Sequence, residues 1–133
     1  LESKGLTGAE QKFIFGRDDY SKQEVIELLK KRGISKDEAL FLLVNDISEC
    51  IKDLKTFTWF DQLDDIRAKV VVDMRFNLGA AGFRKFRKMI AALERDDYDT
   101  AADEMVDSAW YHQVGTRAHR LVKMMRTGED YTN

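Results

Sequence analysis

The chain has 133 residues, 22 basic and 24 acidic side chains, a formal charge of −2 and 44% hydrophobic residues. That size and apolar fraction suit a globular domain with a real core, and the near-balanced charge excludes the strongly basic surface of a duplex-binding module, so no nucleic-acid partner is expected. A single cysteine, Cys50, excludes an intrachain disulfide framework; no stretch reaches the ~18 apolar residues of a membrane span and no signal-peptide core opens the sequence, so a soluble chain without a membrane partner is expected.

There is no proline and there are 8 glycines, which predicts long helices with glycine as the punctuation. Residues 6–16, LTGAEQKFIFG, read as a brief strand or β-hairpin remnant within a degenerate N-terminal segment, residues 1–20. Ser21 and Glu24 stand at capping-box spacing before Val25, Ile26, Leu28 and Leu29, predicting a connecting helix over 21–33 that Gly33 stops. Ser35 and Glu38 repeat the device and open a helix with Leu40, Leu43, Val44, Ile47 and Ile51 on one side, running to the neighbourhood of Lys55.

In DQLDDIRAKVVVDMRFNLG, the residues Leu63, Ile66, Val70, Met74, Phe76 and Leu78 recur as on a largely buried helix that ends at Gly79. FRKFRKMIAAL then continues past Gly82 as a basic amphipathic helix, and Asp97 or Asp99 can cap TAADEMVDSAW. Thr116 can cap the last helix, with Leu121, Val122 and Met125 inward. The expected fold class is mainly α, with six to seven helices in all and a helical domain over residues 34–133.

The sequence has no phosphate loop, nucleophile elbow or H-E-x-x-H zinc motif, so no cofactor is expected. His112 and His119 lie seven apart without a cysteine or paired carboxylate at ligand spacing, so no metal is expected either. The basic run FRKFRK reads as a solvated face or as a stripe that attracts phosphate or an anionic polymer. Cys50, Met124 and Met125 read as core.

Taken in order, RGISKDEALFLLVNDI, VVDMRFNLGAAGFRKFRKMIAAL and DYDTAADEMVDSAWYHQVGTRAHRLVKMMRTGE resemble the C-terminal helical lobe of the phage-type lysozymes of glycoside hydrolase family 24, the T4 lysozyme-like endolysins. The ordered combination of FNLG, SAWYHQVGTRAHR and RTGE carries the resemblance, which spans residues 33–129. It implies a lysozyme-like helical lobe and a substrate in bacterial cell-wall peptidoglycan. In the family, the arginine matching Arg117 lies beneath the cleft and pairs with the catalytic glutamate, and the phenylalanine matching Phe76 helps line the sugar cleft. With Glu104, these are the candidate substrate-binding residues. Read from the residues alone, Phe76 is equally a core side chain and Arg117 equally a capping or solvated cation.

Glycoside hydrolysis needs two carboxyl groups across one cleft, one of them kept protonated by its surroundings. In the family they come from the N-terminal part, as a glutamate, an aspartate and a hairpin threonine. KFIFGRDD is the nearest match to that hairpin. Aligned on Gly16, it puts Lys12 at the threonine's position and Leu6 at the aspartate's, and neither side chain can replace the original. The catalytic glutamate has no counterpart, and Glu2 and Glu10 are the nearest acids, with Glu10 the remaining catalytic candidate.

The resemblance therefore implies a lysozyme lobe with impaired or lost catalysis, whose absent N-terminal helix leaves apolar surface to be covered by the first ten residues, a partner helix or a homodimer. Three functions follow. One is a muramidase, phage-derived or made in a bacterial host's cytoplasm, that acts on the periplasmic cell wall. The second is a glycan-binding module around Phe76, Trp110 and Arg117. The third is an interaction domain whose groove receives a helix.

Overall fold

The computed structural model describes residues 6–131, which hold eight α-helices and one short 3-10 helix. The chain forms two compact units, Leu1–Asp46 and Ile47–Asn133, and the division falls inside the third helix. The mainly helical expectation holds.

The first unit contains α1 (Gly8–Phe15), α2 (Lys22–Arg32) and the beginning of α3 (Lys36–Leu54). The hairpin expected over residues 6–16 is corrected here, since the segment is helical. Thr7 Oγ1 accepts from the Glu10 amide at 3.1 Å, and Glu10 Oε1 accepts from the Thr7 amide at 2.9 Å, a reciprocal cap that satisfies free amides of the first turn. Gly16 closes the helix in the left-handed region at φ 77°, donating to the Lys12 carbonyl. With no hairpin, the alignment that set Lys12 and Leu6 against the family's threonine and aspartate loses its basis. Glu2 lies outside the described residues.

The two capping boxes read from sequence form as expected. Ser21 pairs with Glu24, and Ser35 with Glu38 at 2.9 and 3.2 Å. Arg32 then donates to both Glu38 oxygens, at 2.6 and 3.1 Å, and to the Ile14 carbonyl at 3.3 Å, joining α1, α2 and α3 through one guanidinium. These contacts hold the Glu38 carboxyl at about 2, with the Arg32 hydrogen bond the main cause and the Ser35 amide the second. The apolar stripe of α3 is not the one anticipated. Leu42 is buried, whereas Leu40, Leu43 and Val44 are exposed, at 58%, 42% and 52%.

The second unit contains the rest of α3, the 3-10 helix (Phe60–Gln62), α4 (Asp65–Arg84), α5 (Arg87–Glu94), α6 (Tyr98–Val106), α7 (Ala109–Val114) and α8 (Thr116–Thr127). Its core runs from Leu54 through Val70, Met74, Phe83, Met89 and Trp110 to Met125, all buried, and Cys50 is buried as expected. α6 packs against both α5 and α8, while α8 also meets α4. Burial of this kind is worth roughly 1.5–3 kcal/mol per large side chain.

Gly79 interrupts α4 at φ 77° and ψ 170°, as its reading as a helix end anticipated. The basic run does not continue as one helix past Gly82. Lys85 ends α4, and Phe86, at φ −78° and ψ 56°, turns the chain before α5 starts at Arg87. Asp97 caps α6 through the Thr100 amide at 3.1 Å. The stretch TAADEMVDSAW breaks at Asp107, and Ser108 caps α7 through the Tyr111 amide. Thr116 is not a cap: Gly115 holds the N-cap position at φ 74°, where a side chain would be strained, and Thr116 is the first helical residue. Leu121, Val122, Met124 and Met125 face inward as expected.

Candidate functional site

α4 starts where Asp64 caps the Arg67 amide at 3.1 Å, and its first segment runs straight to the Gly79 break. Positions 69, 72, 73, 76 and 77 follow the i, i+3, i+4 pattern, so they share one side of that segment. Val70, Val71 and Met74 face the core from the other side.

Along the shared side lies an open depression of about 380 Å³ lined by Ile47, Lys69, Val72, Asp73, Phe76, Asn77 and Arg117. Phe76 is 40% exposed there, which settles its reading against the core. Arg117 reaches the depression because the Gly115 turn ends α7 and starts α8 two residues earlier.

Asp73 is the hub of the polar part. Its Oδ1 accepts from Arg117 Nη2 and from Asn77 Nδ2, the latter at 2.9 Å, and the same Asn77 amide donates to the Asp73 carbonyl at 2.8 Å. A cation in the first turn of a helix opposes the helix dipole, and the Asp73 carboxylate offsets that cost for Arg117. Lys69, at the rim, donates to Asp130 at 3.1 Å.

On α3, Asp53 is gripped from two places. Arg75 Nε donates to its Oδ2 at 2.7 Å, while Arg84 donates to Oδ2 at 3.0 Å and to Oδ1 at 2.8 Å. The Arg84 hydrogen bond, with that of Arg75 behind it, holds the Asp53 carboxyl at about 2 against the opposing effect of burial.

The structure thus brings Phe76 and Arg117 together and leaves the other candidates elsewhere. Glu104 is half-buried on α6 and does not line the depression. Glu10 is 1% exposed in the first unit, with Oε1 committed to the Thr7 amide and Oε2 accepting from Asn45 at 3.2 Å, so it serves as a helix cap. Trp110 is buried and meets Phe86 edge-on at 6.3 Å. His112 and His119 both meet the Tyr111 ring, at 5.5 and 4.8 Å between centroids. Among the described residues no group of three or more His, Cys, Asp or Glu is placed to hold a metal.

An aromatic face beside a guanidinium, a carboxylate and a carboxamide suits a sugar, whose ring stacks through its C–H face while hydroxyl and acetamido groups take directed hydrogen bonds. Sequence reasoning missed Lys69, Val72, Asp73 and Asn77. Their signal was the polar pair Asp73 and Asn77, four residues apart and so on one side of a helix.

The Phage lysozyme family model matches residues 15–128. The chain belongs to the phage lysozyme family. The match takes in α2, which precedes the stretch that carries the resemblance in the sequence. The chain is 31% identical over 98 residues to Probable T4-type lysozyme 1 of Dictyostelium discoideum, covering 71% of this chain and 56% of the relative. Probable T4-type lysozyme 2 of the same organism is 29% identical over 103 residues, 74% of this chain and 61% of its own. The pre-baseplate central spike protein Gp5 of Enterobacteria phage T4 is 30% identical over 114 residues, 81% of this chain and 20% of the spike protein. The chain thus spans 56–61% of the two lysozymes' length. No helix among the described residues of this phage lysozyme lobe is long and apolar enough to cross a membrane.

Proposed function

We propose that this chain is the glycan-holding lobe of a muramidase-type protein, that it takes the glycan strands of bacterial peptidoglycan into the depression on α4, and that its catalysis is impaired. The observation that carries the reading is the exposed Phe76 ring set beside the Arg117–Asp73–Asn77 cluster. Phe76 stacks on a sugar ring, and Arg117 and Asn77 donate to its oxygens. Among the residues lining the depression Asp73 is the one carboxylate, whereas glycoside hydrolysis uses two, separated by about 5–9.5 Å. Arg117, which in the family pairs with a catalytic glutamate, has Asp73 as its partner here.

The test is a titration of the chain with N-acetylglucosamine–N-acetylmuramic acid disaccharide, run beside a turbidity-clearing assay on chloroform-treated Gram-negative cells. We expect binding without clearing, and about tenfold weaker binding, roughly 1.4 kcal/mol, for Phe76→Ala and for Arg117→Ala. Equal affinity of the wild type and Phe76→Ala would sink the sugar reading. Clearing would overturn impaired catalysis, and Arg117→Ala should then lower turnover more than binding.

A second reading is favoured by the spike-protein relative, in which the matched region is 20% of a larger protein. Under it the lobe is an interaction module, and the exposed Leu40, Leu43 and Val44 take a partner helix or a second copy. A monomer by sedimentation whose urea-unfolding midpoint is unchanged by Leu43→Lys would count against it.

A further inference from the structure

We infer that Asp53 is a positioning residue for the α4 depression: held by Arg75 before the Gly79 break and by Arg84 after it, this one carboxylate sets both the roll and the bend of α4, and so where Phe76 and Asn77 stand. The inference rests on the sugar-binding reading for its consequence, though not for its geometry.

The first part of the argument concerns roll. On a helix, neighbouring residues point about 100° apart. Arg75 is flanked by Met74, which is fully buried, and by Phe76, which faces the depression. Its 2.7 Å bond to Asp53 Oδ2 therefore ties down a third direction of the same turn. A helix segment fixed by Met74 alone could rotate somewhat in a smooth apolar bed, because dispersion contacts are individually weak and non-directional. A charge-assisted hydrogen bond at the adjacent position is directional and opposes that rotation.

The second part concerns bend. Gly79 sits at φ 77° and ψ 170°, outside the helical region, and an added Cβ there would meet nothing within 4 Å. The side of the break toward which a Cβ would point is thus open. Arg84, five residues beyond, reaches back to both Asp53 oxygens at 2.8 and 3.0 Å. Its guanidinium lies 4.9 Å from the centroid of the Phe57 ring, and Phe57 in turn meets Phe83 edge-on at 6.1 Å. Arg84 is consequently held by carboxylate and ring together, and the segments on the two sides of the break share a single anchor on α3. Core packing also joins them, since Met74 and Phe83 belong to one buried cluster, but that contact is non-directional. A carboxylate with three charge-assisted bonds from two arginines costs more to loosen than a surface ion pair, since removing it leaves two guanidiniums facing each other.

Asp53 does not itself line the depression; it is bonded to Arg75, whose neighbour in sequence is Phe76, so its influence there is indirect. The variant that tests this is Asp53→Asn, which keeps shape and one acceptor and removes the charge, made in the full chain and compared with Arg84→Gln and with the double variant. Amide resonances of Phe76, Asn77 and Gly79 should move in Asp53→Asn, and those of Leu121 to Met125 should stay. Disaccharide affinity should fall about fivefold, Arg84→Gln should fall similarly, and the double variant should be no worse than either single one, the mark of a shared anchor. Asp53→Glu should restore part of the affinity.

A lower melting temperature with unmoved Phe76 and Asn77 resonances and unchanged affinity would overturn the inference and leave Asp53 a stabilising ion pair. So would additive losses in the double variant. If the wild type binds no disaccharide, the sugar reading fails, and the resonances alone decide whether Asp53 positions α4.

Discussion

From Leu54 to Met125 the second unit has a continuous buried cluster that includes Trp59, Phe83, Leu93 and five methionines with no measurable exposure. In the first unit the buried apolar side chains among the described residues are Ile14, Val25 and Leu42, accompanied by three buried polar ones, Glu10, Gln11 and Glu38. Those polar groups account for its organisation. Glu10 and Glu38 complete helix caps, Gln11 exchanges two hydrogen bonds with the backbone of Tyr20, and Glu38 takes the Arg32 fork. One unit is therefore held by apolar area, which is indifferent to protonation, and the other by directed bonds at helix ends, which are not. The candidate site belongs to the apolar unit, so a sugar would meet a wall supported by packing.

The largest effect should come from attacking the second unit's core. Phe83→Ala removes a ring with no exposure and should cost about 3–5 kcal/mol in urea unfolding followed by circular dichroism. A cost under about 1 kcal/mol would mean that the cluster is loosely packed.

Acid should separate the units next. The Glu38 carboxyl stands at about 2 in the folded chain against an ordinary 4.5, so its stabilising contribution is complete above pH 4.5 and is lost as the pH falls from there toward 2. Asp53 behaves alike between 3.8 and about 2, but with the apolar cluster beside it. Urea midpoints measured from pH 6 to pH 3 should fall more steeply for helical signal from the first unit, and Glu38→Gln should flatten that slope. An identical slope in the variant would assign the acid sensitivity elsewhere.

Smaller again is Thr7→Ala, which deletes the hydroxyl that caps α1. A loss of about 1 kcal/mol is expected, read as faster amide exchange over residues 8–15. The smallest effect should be that of Leu43→Lys on the exposed stripe of α3, under about 0.5 kcal/mol in a free chain. A loss several times larger would show that this stripe is covered in solution.

Much of the helical punctuation was legible because it is local. Ser21 with Glu24, Ser35 with Glu38, Asp97 and the break at Gly79 each depend on residues within four positions of one another. Thr7 with Glu10 has the same form, and the β-prone run FIF concealed it. The inward stripe of α3 could not be read, because Leu40 to Val44 is apolar at every position and offers two helical faces to the core. At the site, Phe76 and Arg117 came from the family resemblance. The Asp73–Arg117 contact spans 44 residues, and the Arg75 and Arg84 bonds to Asp53 span 22 and 31. No periodicity encodes such pairings, since they arise only when packing brings helices together. Glu10 shows the reverse error, an acid singled out for chemistry that the fold uses to end a helix.

Both tryptophans, Trp59 and Trp110, are buried in the second unit, and residues 6–46 contain none. Intrinsic tryptophan emission from this protein is consequently a report on the unit that carries the depression and is blind to the other. An unfolding curve drawn from it would pass over any earlier melting of α1 and α2, and a mismatch between that curve and one from the far-ultraviolet helical signal would be the first optical sign that the two units come apart separately.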